Sequence, residues 1–194
     1  MSAVSRWYVA AWLLLAYSAP EAAMERRTGI DFPDKLKKEA LQKLGVRTKG
    51  PIKVYAVGQY SQGTFLLQMN MGVNAQKMTS ALADALQPRC HGCRENDVSD
   101  FSTILRKGLP SGASKGTKLL FGTGGGRLTI TINDKHIGSI ASKALAKAFA
   151  DIYTDKKAVC RLQSLENSKS EPENTFPVIK SLVVIGISRL LFWI

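Results

Sequence analysis

The chain has 194 residues, enough to bury one sizeable core, and a 45% hydrophobic share that excludes global disorder. Its formal charge of +12 and isoelectric point near 9.8 raise nucleic acid as a partner. Lys and Arg are scattered one or two at a time, with no basic run interleaved with aromatics and no zinc-finger or RNA-recognition motif. That pattern argues against nucleic acid and for a solvated basic face, or one that meets anionic lipid.

In chain order, Arg6 precedes an apolar run from Trp7 to Ala16, and Ala16-Tyr17-Ser18 forms a cleavage triplet. This is the layout of a secretory signal peptide, so residues 1–23 are expected to be a targeting segment of a secreted or secretory-pathway protein. The small and basic residues from Ala22 to Arg27 allow a bipartite plastid or other organellar signal instead. A helix is expected next. Pro33 suits its first turn, Leu36, Ala40, Leu41 and Leu44 share one face, and Gly45 ends it. Ile52 to Tyr60 reads as a strand with apolar or aromatic residues on both faces, hence central or lining a pocket.

Gln62-Gly63 turns the chain into a strand from Thr64 to Met71. Asn74 caps a helix facing the core through Met78, Leu82 and Ala85, and Gln87-Pro88 stops it. Val98 to Leu109 is a further helix, with Phe101 and Leu105 inward. Leu119 to Phe121, Leu128 to Ile132 and His136 to Ile140 form a β-meander, joined by the glycine-rich run 122–126 and by Asn133-Asp134. The glycine run opens a strand rather than a helix, so it is a turn and not a phosphate cradle. Ala144, Leu145, Ala148, Phe149 and Ile152 then make the apolar stripe of a helix packed on the sheet. A polar linker at 163–175 leads to an apolar tail at 176–194, interrupted by Lys180 and Arg189. The tail is short for a span, and contact with a membrane surface is one reading of it.

Two groups of residues invite chemistry. Cys90-His91-Gly92-Cys93 has the spacing of half a zinc site or of a redox pair. Cys160 and His136 are the only other cysteine and histidine, so no four-ligand metal site is evident. A local disulfide or a pair of reactive loop thiols is the preferred reading. Arg47, followed by Tyr55 in the next strand, reads either as a surface charge with a core aromatic, or as a fork of donors and a hydroxyl that clamp a carboxylate or oxyanion. Met69, Met71 and Met78 would suit an apolar slot beside such a clamp.

Gly45-Val46-Arg47, the strand from Lys53 to Tyr60, Lys77-Met78-Thr79, Leu119-Leu120-Phe121 and the helix from Ser142 to Tyr153 resemble, in order, the chalcone isomerase-like family. The resemblance covers residues 29–162. It implies an α+β, open-faced β-sandwich, an antiparallel sheet covered on one side by helices, with a ligand cleft between them. The family holds true chalcone–flavanone isomerases and plant relatives that bind fatty acids; no cofactor is implied. Arg47 is similar to the family arginine that holds an anionic oxygen. Tyr55 stands where the isomerases place a threonine and where fatty-acid-binding members pair a tyrosine with that arginine.

The isomerases also place a tyrosine and an asparagine seven apart over the cleft; the nearest positions here, Asn74 and Ala81, match neither. Ser142 aligns with a small polar position of the family. The resemblance thus implies a ligand site of Arg47, Tyr55, Asn74 and Ser142, holding a fatty acid or similar carboxylate without turnover. The alternative is an intramolecular lyase closing a ring on a chalcone-like phenolic enone, with Arg47 as its anion site.

Overall fold

The computed structural model describes residues 22–165. Residues 1–21 of the expected targeting segment and the apolar tail at 176–194 lie outside them. Strands β1 (Ala22–Glu25) and β2 (Ile30–Pro33) form a separate antiparallel hairpin, so Ala22 and Ala23 are part of this strand pair. β3 (Lys35–Leu36) and β4 (Glu39–Lys49) lead into β5 (Ile52–Tyr60) and β6 (Thr64–Met69). Two helices follow, α1 (Ala75–Leu86) and α2 (Asp97–Gly108). The meander β7 (Lys118–Gly122), β8 (Leu128–Ile132) and β9 (Lys135–Ile140) precedes α3 (Lys143–Thr154) and the short β10 (Gln163–Ser164). The main sheet is antiparallel throughout, in the order β10-β4-β5-β6-β7-β8-β9, with β3 paired to β4. β10 draws the first two residues of the expected linker into the sheet.

The helix expected from Pro33 to Leu44 is instead β3 and the start of β4, and a β-bulge accounts for the helix-like spacing of its leucines. In β4, Leu41 pairs with Tyr60 but Lys43 pairs with Gln59, leaving Gln42 as an extra residue. Leu41 and Leu44 therefore reach the same face although they are three apart, the spacing of a helix turn. Pairing with β5 decides the conformation, and Leu41, Leu44 and Val46 are buried on one side with Ala56, Tyr60 and Leu66. Phe32 of the β1–β2 hairpin covers that side. A Cβ on Gly58 would stand 2.8 Å from the Phe32 ring and 3.0 Å from Leu41, so the bare glycine admits the ring. The Tyr60 hydroxyl donates to the Pro33 carbonyl at 2.8 Å and pins the hairpin.

The other face carries the three helices. Tyr55, Val57, Phe65, Leu67 and Met69 alternate toward it, as do Leu119, Phe121, Leu128, Ile130 and Ile132 of the meander. α1 buries Met78, Leu82 and Leu86, α2 buries Phe101 and Leu105, and α3 buries Leu145, Phe149 and Ile152, as their periodicity predicts. At the centre the Phe149 ring lies 4.4 Å from that of Phe121 and within 6.1 Å of Phe65 and Phe101. The Asn133-Asp134 turn between β8 and β9 has both residues at positive φ, the geometry that a two-residue hairpin demands. The architecture is an α+β, open-faced β-sandwich.

Candidate functional site

Arg47 lies in β4, not after a helix, and its direct partner across the ladder is Tyr55 of β5. Both side chains point to the helix-covered face. The ladder shifts register immediately beyond this pair, where Thr48 pairs with Lys53 and Val54 becomes the extra residue. A bulge beside a pair of polar side chains re-aims them relative to the regular pleat.

After α3 the chain runs back over this pair as a strap, residues 155–162, before joining the edge of β4 as β10. The Val159 amide donates to the Ile152 carbonyl at 2.9 Å, and the Arg47 guanidinium donates through Nη1 to the Val159 carbonyl at 2.6 Å. Gly45 lets the strap lie this close: a Cβ there would meet the Leu162 side chain at 2.7 Å and the Arg161 carbonyl oxygen at 2.8 Å. Beneath the strap the hydroxyls of Tyr55 and Tyr153 lie 3.3 Å apart, both buried, with Cys160 buried beside them.

Burial pushes the Tyr55 phenol up to about 12, although its hydrogen bond to Tyr153 and the Arg47 charge pull the other way. Burial, with the neighbouring Tyr55, holds Tyr153 well above the ordinary phenol value. Burial raises the Cys160 thiol to about 11, again opposed by Arg47. All three are neutral near pH 7, so the phenols are hydrogen-bond donors and the thiol is inert as a nucleophile. Arg47 is the cation of this cluster, and among the described residues no carboxylate forms an ion pair with it. A part-buried guanidinium with two buried phenols nearby and, among the described residues, only a carbonyl as its hydrogen-bond partner is a site suited to an anion.

These pKa values fix a pH dependence. Each group binds its proton more tightly folded than unfolded, so its contribution is complete below the unfolded value and is lost as pH rises through the folded one. With reference values of 9.0 for the thiol and 10.0 for the phenols, stability should hold to about pH 9 and fall steadily toward pH 11–12. Urea midpoints measured from pH 7 to 11 would show this decline, and Cys160→Ala should remove its earliest part.

The other sequence candidates are engaged elsewhere. Asn74 is exposed and caps α1, accepting from the Lys77 amide at 2.8 Å. Ser142 caps α3, accepting from the Leu145 amide, and donates to Asp97 at 2.5 Å. It stands at the opposite end of α3 from Tyr153, about 16 Å away at 1.5 Å per residue. An open groove of about 790 Å³ lies at that end, bordered by Arg94, Ser142, Lys143 and Lys147, so the groove and the Arg47 cluster are separate features. Met69 and Met78 are buried in the helix-side core, whereas Met71 is exposed.

Sequence reasoning missed Tyr153, Cys160 and the strap. Tyr153 carried a signal, as a hydroxyl-bearing residue adjoining the apolar stripe of α3. It also missed Thr79, whose buried hydroxyl on the inward side of α1 has no hydrogen-bond partner among the described residues.

An antiparallel sheet covered on one side by helices, in this strand order, is the chalcone isomerase-like fold. The crystal structure of the fatty-acid binding protein AtFAP1 from Arabidopsis thaliana is similar, with a TM-score of 0.65 at 19% sequence identity. The match covers 72% of this chain and 91% of that one. No family model matches the sequence, and no curated protein does.

Proposed function

We propose that the protein binds a fatty acid or a similar long-chain carboxylate without chemical turnover, the carboxylate sitting against Arg47 and Tyr55. The observation that carries this reading is Arg47 itself, a part-buried cation hydrogen-bonded to a strap carbonyl with no acidic partner among the described residues. A carboxylate would exchange with the Val159 carbonyl for the guanidinium fork and gain charge-assisted hydrogen bonds. Tyr55 supplies a second, neutral donor, with Tyr153 behind it. The alkyl chain would run into the apolar layer under α1 and α3, which includes the adaptable Met69 and Met78 and is packed closed, so it must part to admit the chain. The likeness to a fatty-acid binding protein supports the same reading.

The test is native mass spectrometry of the purified full-length chain, followed by organic extraction and titration with palmitate. One long-chain carboxylate per chain is expected, bound in the wild type and bound markedly more weakly in Arg47→Ala. A chain that neither carries lipid nor binds palmitate would sink the proposal. Should that chain also consume a 2′-hydroxychalcone, followed by loss of its absorbance, ring-closing catalysis would take its place.

A further inference from the structure

Cys90 and Cys93 are joined as a disulfide, with their Cα atoms 5.2 Å apart, in the loop between α1 and α2. The bond closes a ring of four residues, which constrains the unfolded chain far less than a long loop would. Both cysteines are only partly buried, and His91 and Gly92 between them are exposed. A thiolate can therefore approach this disulfide from solvent.

What flanks the ring gives it reach. On one side Arg89, its side chain 10% exposed, grips the strap that covers Arg47. It donates to Asp155 at 2.9 and 3.2 Å, to the Lys157 carbonyl at 2.6 Å and to the Ala85 carbonyl of α1 at 2.7 Å. On the other side Arg94 donates to Asp97 at 2.9 Å and to the Ala141 carbonyl at 3.1 Å, while Asp97 accepts from Ser142. Asp155 is the C-cap of α3 and Ser142 its N-cap. One small covalent ring thus sets the spacing of two arginines that hold opposite ends of the helix bearing Tyr153.

We propose that Cys90–Cys93 is a redox-responsive site, opened by a dithiol reductant, whose reduction loosens the hold of Arg89 on the 155–162 strap and so uncovers Arg47. In the reaction a thiolate of the reductant attacks one sulfur, breaking the Cys90–Cys93 bond and forming a mixed disulfide. The second thiol of the reductant displaces the cysteine and leaves as part of its own disulfide. Two electrons pass to the cysteine pair, which ends as two thiols, and the reductant is oxidised. Cys160, buried with its thiol pushed up to about 11, takes no part.

The test uses the full-length chain, oxidised and then titrated with dithiothreitol. Free thiols are counted by alkylation and mass spectrometry, and amide hydrogen exchange is followed in peptides covering 141–146 and 155–162. Cys90 and Cys93 should alkylate together in the folded protein while Cys160 stays unlabelled. Exchange in the strap peptide should rise about tenfold, and Cys90→Ser/Cys93→Ser should reproduce this without reductant. In Arg89→Ala the strap should exchange fast in both redox states.

A pair that resists dithiothreitol in the folded chain would overturn the proposal. So would a reduced chain with unchanged strap exchange, or a full redox response persisting in Arg89→Ala. Faster palmitate release on reduction is also expected, and that part rests on the carboxylate reading of Arg47. If exchange responds to reduction but no palmitate binds, the redox site stands and the carboxylate site falls.

Discussion

Arg47→Ala should weaken palmitate binding by roughly 10- to 100-fold while leaving the chain folded. A hydrogen bond to a charged group contributes about 1.5–3 kcal/mol, and each 1.4 kcal/mol is a factor of ten in affinity. The protein-internal loss is smaller, because the acceptor released is the Val159 carbonyl of a strap that is also held by Arg89 and by β10. Arg47→Lys should recover only part of the affinity. It restores the charge but not the planar fork that can meet both carboxylate oxygens. Calorimetric titration with palmitate at constant ionic strength measures both variants. Wild-type affinity in Arg47→Ala would remove the anion from this site altogether.

Phe149→Ala should cost about 3–5 kcal/mol of stability, the range for truncating a fully buried aromatic. Phe149 has no exposed surface and stands among Phe65, Phe101, Phe121 and Tyr153, so the vacated space has rings from both the sheet and α2 around it. Rings held by two layers cannot collapse into the gap without moving one layer. For a domain of this size the loss corresponds to a fall in Tm of roughly 10–20 °C. Thermal unfolding by circular dichroism reads it directly. A fall of only a few degrees would mean that the layers repack around the gap and that the helix face is softer than its burial indicates.

The two predictions probe parts of the molecule that were unequally visible in the sequence. The layer containing Phe149 was legible because period 3.6 in α3 and period 2 in β8 each place apolar residues on a single face, and nothing else in those segments competes. The turn chemistry was equally plain, since Asn133-Asp134 and, within the glycine-rich run, Gly125 and Gly126 supply the positive φ values that the reversals need. The order of segments resembling a known fold then yielded the open-faced sandwich.

The first strands were misread as a helix because a bulge spaces Leu41 and Leu44 as a helix turn would. Local periodicity cannot distinguish the two; only the partner strand β5 does. The site divides in the same way. Arg47 and Tyr55 were legible only through their match to positions of the resembling family; that they stand opposite one another in β4 and β5 was not, because the segment before Arg47 reads as a helix. The strap, Tyr153 and the reach of Arg89 lacked even that. Their partners are 66 to 112 residues away in the chain, and no short-range pattern encodes a hydrogen bond from Arg47 to the Val159 carbonyl. By itself the sequence determined which faces are apolar and where the chain turns, because those depend on neighbours a few residues apart. Tertiary structure alone decided what closes over Arg47 and what the four-residue disulfide ring holds, because those contacts exist only once α3 has packed and the chain behind it has returned to the sheet.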